Sequence, residues 1–70
     1  MENTRLMAMA RNEVTKQTLM HRNLGSNNFH PSQRSLAEDF ADQYALKLSQ
    51  RTGEPWTGYV EAYVPGIFKA

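Results

Sequence analysis

Cysteine is absent from the 70 residues of this chain, so no disulfide can support its fold. The only imidazole groups are those of His21 and His30, which makes a structural zinc site a poor prospect. A chain of this length buries only about 60% of the surface that its unfolded form exposes, so a single core gives marginal stability. We therefore expect one small domain over residues 1–70 that is supported by self-association or by a partner.

Long apolar runs are also lacking, and none approaches the roughly 20 residues that cross a bilayer. In the first residues, MENTRLMAMARNE, the charges of Glu2, Arg5 and Arg11 interrupt any apolar region of a signal peptide. The absence of cysteine fits a reducing compartment. The sequence thus predicts a cytoplasmic protein with no membrane contact.

Motifs that specify a reaction are missing as well. No glycine-rich phosphate loop is present, because the four glycines are scattered at Gly25, Gly53, Gly58 and Gly66. Glu13, His21 and His30 could together hold a metal or act in catalysis, but their spacing matches no recognised motif. We expect a non-enzymatic protein with no catalytic residues, no metal and no cofactor, and keep the histidine site as a third alternative.

The charge is nearly balanced but unevenly distributed. The net charge is +1, which argues against a basic domain dedicated to nucleic acid. Residues 1–34 carry five basic and two acidic side chains, whereas residues 35–70 carry three basic and five acidic ones. Such a chain could pair head to tail or present one basic face.

The first half of the chain has the features of a helix over about Thr4–Leu24. This segment contains no Pro or Gly, Asn3 or Thr4 can cap its start, and Gly25 follows its end. Its apolar stripe is impure, since Glu13 falls among methionine and leucine residues. A polar loop, 25–34, follows, with Phe29 expected to pack back against the helices.

A second helix is predicted over about Ser35–Arg51. Ser35 and Glu38 have the spacing of a capping box, and Gly53 is placed to end the helix. Apolar residues repeat every four positions with alanines beside them, a pattern typical of a core helix. The residues of this stripe are Leu36, Phe40, Tyr44 and Leu48, with Ala37, Ala41 and Ala45.

The last segment, EPWTGYVEAYVPGIF at residues 54–68, contains the only Trp, two of the three Tyr and one of the three Phe. Tyr59 and Tyr63 alternate with Val60 and Val64, which is the period of a half-buried strand. No other strand is visible in the sequence. The fold prediction is therefore mainly α: an antiparallel αα-hairpin with a C-terminal aromatic arm or a single short strand.

These features favour a small interaction or accessory protein that binds a larger protein or assembles with itself, with a regulatory or inhibitory role suggested by its size. Tyr and Trp are common in interfaces, and Met adapts to varied partners. The predicted contact residues are Trp56, Tyr59, Tyr63 and Phe68, followed by Met7, Met9 and Met20.

The alternative function is a small nucleic-acid-binding regulator. At 100° per residue, Arg5, Arg11 and Arg22 fall in one sector of the first predicted helix, where they could follow phosphates. Three arginines are few for such a site, so a solvated helix face is the competing interpretation.

Overall fold

A computed structural model describes residues 4–21 and 28–64, which form one helix packed on a three-stranded antiparallel sheet. The chain order is β1 (Arg5–Asn12), β2 (Thr18–Met20), a 3-10 turn (Pro31–Gln33), α1 (Arg34–Thr52) and β3 (Trp56–Tyr63). The strands lie in the order β2-β1-β3, so β1 is central. The predicted αα-hairpin is wrong, because the described residues contain a single α-helix.

The helix predicted over Thr4–Leu24 is replaced by β1, a turn and β2. Residues of β1 alternate strictly between the two faces of the sheet, and Leu6, Ala8 and Ala10 are buried beneath α1. Strand β2 pairs with the second half of β1, with Met9 opposite Met20. The alternation of buried and exposed side chains therefore determines the structure of this segment, although the segment contains no Pro or Gly that would break a helix.

Asn12 makes the turn between β1 and β2. It is 2% exposed, and its side-chain oxygen accepts hydrogen bonds from the backbone N–H groups of Val14 and Thr15, at 2.8 and 3.0 Å. Its amide nitrogen donates to Glu54 at 2.7 Å. Lys16 then adopts a left-handed backbone with φ 67°, a conformation usually taken by glycine. Asparagine competes with helix formation through such local bonds, so the chain reverses here without any Gly or Pro.

Of the two alternatives for residues 54–68, an aromatic arm or a single strand, the strand is present as β3, but the expectation that it has no partner in the chain is wrong. Strand β3 pairs with β1 along its whole length, from Arg5 opposite Tyr63 to Asn12 opposite Trp56. The backbone N–H and C=O groups of β3 pair with those of β1, the segment that was predicted to be a helix.

The helix predicted over Ser35–Arg51 is present as α1, Arg34–Thr52, and Gly53 ends it with φ 78°. The Ser35–Glu38 capping box does not form. The 3-10 turn precedes α1 instead, and there the ring nitrogen Nδ1 of His30 accepts from Ser32 N–H at 3.1 Å. The side chain of Gln33 accepts from the His30 backbone N–H at 3.0 Å.

The side of α1 that faces the sheet is lined by alanine. Ala37, Ala41 and Ala45 are buried, whereas Leu36 and Phe40 of the predicted core stripe are exposed. Gly58 of β3 shows why small residues line this side of α1, because a Cβ atom at position 58 would lie 2.4 Å from the carbonyl carbon and oxygen of Ala41. The helix backbone lies so close to β3 that only the smallest side chains fit between them.

The resulting core is small. Its buried apolar residues form two clusters, of which the first includes Leu6 and Phe29 and the second includes Leu48. Phe29 is buried as predicted, but it lies beside the sheet, where its backbone and that of Leu6 exchange two hydrogen bonds. Among residues 4–21 and 28–64, five of the eight buried apolar residues are alanines: Ala8, Ala10, Ala37, Ala41 and Ala45.

In the part of the chain that the structure describes, no helix combines the length and the apolar character needed to cross a membrane.

Candidate functional site

The face of the sheet opposite α1 is covered by none of the described helices and strands. Because side chains alternate along a strand, the residues of β1 that do not face α1 project here together with their cross-strand partners. We call this surface the open sheet face. It comprises Arg5, Met7, Met9 and Arg11 of β1, Thr18 and Met20 of β2, and Thr57, Tyr59, Glu61 and Tyr63 of β3.

Five of the seven predicted contact residues meet on the open sheet face. Met9 lies between Met20 of β2 and Tyr59 of β3, and Met7 lies next along β1. Tyr63 lies at the end of β3, opposite Arg5. All five predicted side chains are half-buried. Met7, Met9, Met20 and Tyr59 form an apolar centre drawn from the three strands, and Glu61 separates Tyr63 from Tyr59 along β3.

Trp56 lies on the other side of the sheet. It packs against the cluster of Ala10, Ala45 and Leu48, and its indole N–H donates to the Thr52 hydroxyl at 3.0 Å. This placement assigns Trp56 to the sheet–helix interface and separates it from the tyrosines. Phe68 lies outside the described residues.

A shallow depression adjoins the apolar centre at the edge of β2. It has a volume of about 610 Å³ and is lined by Met7, Met9, Thr18, Leu19, Met20 and Tyr44. Strand β2 is only three residues long, so the sheet is narrower on this side and the depression extends around its edge to α1. The flexible methionine side chains allow this surface to adapt to the shape of a partner.

The arginines of the alternative prediction do not form the basic face of a helix. Arg5 and Arg11 lie on the open sheet face, about 20 Å apart along β1 at the rise of a strand. The Arg11 guanidinium lies 5.4 Å from the centre of the Tyr59 ring, in cation–π contact. Arg22 lies outside the described residues. The open sheet face thus has one arginine at each end of β1 and a single carboxylate, that of Glu61.

A second depression lies between α1 and His21, which follows β2, and the sequence did not indicate it. Its volume is about 220 Å³, and its lining residues are His21, Leu36, Asp39, Phe40, Gln43, Tyr44 and Lys47. The ring of His21 meets that of Tyr44 edge to face at 4.8 Å between centres. Partial burial, and then the positive charge of Lys47, lower the pKa of His21 from its ordinary value of 6.5.

The histidine site suggested by the sequence is not assembled. His30 caps the 3-10 turn, Glu13 lies in the turn after β1, and His21 lies beside α1. Among residues 4–21 and 28–64, no three His, Asp or Glu side chains come together as metal ligands would. The residues of this third alternative therefore lie in three different places.

Comparison of the chain with protein-family models, with curated proteins and with solved structures finds no match.

Proposed function

We propose that this chain is a non-enzymatic protein-binding module that holds a larger protein on its open sheet face. The observation that supports it is the convergence of Met7, Met9, Met20, Tyr59 and Tyr63 on one surface of a domain whose own core lies on the other side of the sheet. Large adaptable and aromatic side chains of this kind are typical of the centres of interfaces.

The charges of the open sheet face favour a foreign, acidic partner over a second copy of this face. Both arginines, Arg5 and Arg11, lie on the central strand. Two copies packed face to face about a two-fold axis would therefore bring arginines of one copy against arginines of the other, which is unfavourable. A partner with carboxylates around an apolar patch would instead pair with both arginines.

The role of such a module would be regulatory or inhibitory, because it acts by occupying a surface of the larger protein. The proposed cytoplasmic location rests on the cysteine-free composition alone.

The test uses capture from host extract followed by reconstitution with the purified partner. Met9→Glu places a carboxylate at the centre of the open sheet face and is expected to weaken binding at least about a hundredfold. Val14→Glu is the matched control, since Val14 is a 62% exposed apolar residue in the turn after β1. Hydrogen exchange in the complex should slow in β1 and β3. Equal binding by the wild type and Met9→Glu, with both variants folded, would refute the proposal.

A second candidate is single-stranded nucleic acid on the same surface. Arg5 and Arg11 share the open sheet face with Tyr59 and Tyr63, and tyrosine rings can stack on bases while arginines neutralise phosphates. Titration of a fluorescent oligonucleotide at two salt concentrations tests it. Affinity that falls with salt and is lost in Tyr59→Ala would support this candidate, and no affinity at low salt would remove it.

A further inference from the structure

The side of α1 that faces away from the sheet carries most of the exposed apolar side chains. Of the four large apolar residues that are exposed in residues 4–21 and 28–64, three lie here: Leu36 at 45%, Phe40 at 37% and Leu46 at 58%. At 100° per residue they fall within about 60° of Gln43. We call this surface the outer helix face; its exposed residues are Leu36, Asp39, Phe40, Gln43, Leu46, Lys47 and Gln50.

The charges on the outer helix face are arranged symmetrically about its middle. Asp39 precedes Gln43 by four residues, and Lys47 follows it by four. Phe40 and Leu46 are likewise each three residues from Gln43. A second α1 laid antiparallel, with the two Gln43 residues at the same level, brings each Asp39 level with Lys47 of the other copy and each Phe40 level with Leu46.

We infer that the outer helix face is the interface of a two-fold symmetric homodimer, in which α1 packs antiparallel on α1 of a second copy about an axis at Gln43. In a two-fold interface the same patch must complement itself, so that residue i meets residue j and j meets i. Asp39 and Lys47 carry opposite charges at equal distances from Gln43, so this complementarity occurs at two places in one dimer. A foreign helix would need no such symmetry.

The small core supplies the thermodynamic reason for this association. In the described parts of the chain, only three buried apolar residues are larger than alanine, namely Leu6, Phe29 and Leu48. A domain of this size gains stability when it removes further apolar surface from water. Leu36 and Leu46 offer that surface, together with the exposed part of Phe40, whose ring already lies 5.4 Å from that of Phe29 and 6.0 Å from that of His21 between centres.

The depression beside Phe40 is suited to the same arrangement. Its volume of about 220 Å³ is below the range of roughly 300–1,000 Å³ typical of small-molecule sites, and is closer to the size of one side chain. It adjoins the outer helix face and shares five residues with it: Leu36, Asp39, Phe40, Gln43 and Lys47. An apolar side chain of the second copy can therefore enter it.

The proposed dimer leaves the open sheet face of each copy uncovered, since the helices lie between the two sheets. The two open sheet faces then point outward on opposite sides, and one dimer could hold two partners or two sites of one partner. The inference does not rest on the proposed function, because mass in solution and partner binding are separate readouts.

The test is the mass of the purified full chain by light scattering and sedimentation, from about 1 μM to about 1 mM. The wild type should pass from monomer to dimer within this range. Leu46→Glu should raise the dissociation constant at least about a hundredfold, because the leucine is lost twice and two carboxylates enter the interface. Val14→Glu also replaces an exposed apolar residue with a carboxylate, but in the turn after β1, and this variant should dimerise as the wild type does.

A charge exchange tests the antiparallel register. Asp39→Lys alone and Lys47→Asp alone should each weaken the dimer about tenfold, because like charges then come level across the axis. The double variant Asp39→Lys/Lys47→Asp should recover the affinity of the wild type. The two positions are about 12 Å apart along one helix, so this recovery cannot arise within a single chain.

A wild-type monomer at every concentration, with the fold shown by circular dichroism, would overturn the inference. A dimer that is unaffected by Leu46→Glu and by both single exchanges would also overturn it, because another surface would then form the interface. Glu61→Lys is the control on the opposite layer and should leave the mass unchanged.

Discussion

The two faces of β1 differ in kind although they belong to one strand. Its inner face, toward α1, has short or fully enclosed side chains that are at most 2% exposed: Leu6, Ala8, Ala10 and Asn12. Its outer face has longer, flexible ones: Arg5, Met7, Met9 and Arg11. The inner residues are restricted by the close approach of the helix, whereas the outer residues are not. The comparison indicates that stability depends on the inner face, whereas the proposed partner binding would depend on the outer face.

The largest effect is expected where the helix comes closest to the sheet. Gly58→Val places side-chain atoms against the Ala41 carbonyl, which is backbone and cannot move without shifting α1. We expect a loss of about 3 kcal/mol or more, enough to unfold so small a domain. Urea unfolding followed by circular dichroism measures it. Thr57→Val, the neighbouring residue on the open sheet face, should stay within about 0.5 kcal/mol of the wild type.

The next effect compares neighbouring residues on the two faces of β1. Leu6→Ala should cost about 3 kcal/mol, because it leaves a cavity beside Phe29 and Ala37. Met7→Ala should cost less than about 1 kcal/mol, since Met7 is half-buried on the open sheet face. Equal losses in urea unfolding would contradict the division between the faces.

The smallest effect concerns His21, at the rim between sheet and helix. Because folding lowers the pKa of His21 from 6.5, through burial first and then the nearby Lys47, the unfolded chain binds the proton more readily. Stability should therefore fall as the pH drops below about 6.5, and be fully present above it. His21→Gln should flatten the profile of unfolding free energy between about pH 7.5 and about pH 5.5, one unit to either side of the ordinary pKa of 6.5. An unchanged slope would contradict the assignment.

The sequence predicted α1 and offered a strand at β3 as one of two alternatives, because each segment has one dominant period and a clear end. The helix prediction for residues 4–21 failed because the chain reverses after β1 at Asn12 and at Lys16, which has a left-handed backbone. A glycine at this position would have indicated a turn, and the sequence has none there. No pattern along one strand could show that β1 pairs with both other strands.

The candidate surface was partly accessible from the sequence. Tyr59 and Tyr63 share a face by their spacing, and the same period places Trp56 with Val60 on the other face, which would have removed it from the set. Met7 and Met9 are likewise two residues apart. Met20 joins them only through the register of the hairpin, with Met9 opposite Met20, and that register depends on the turn.

The exposure of the methionine methyl groups in the free protein tests the central claim most directly. A soluble paramagnetic agent is added, and the relaxation of each methyl signal is measured by NMR after assignment by substitution. The account predicts strong relaxation of Met7, Met9 and Met20, and its loss when the purified partner is added. Weak relaxation of all three in the free chain would show that the open sheet face is already covered, and would contradict the account.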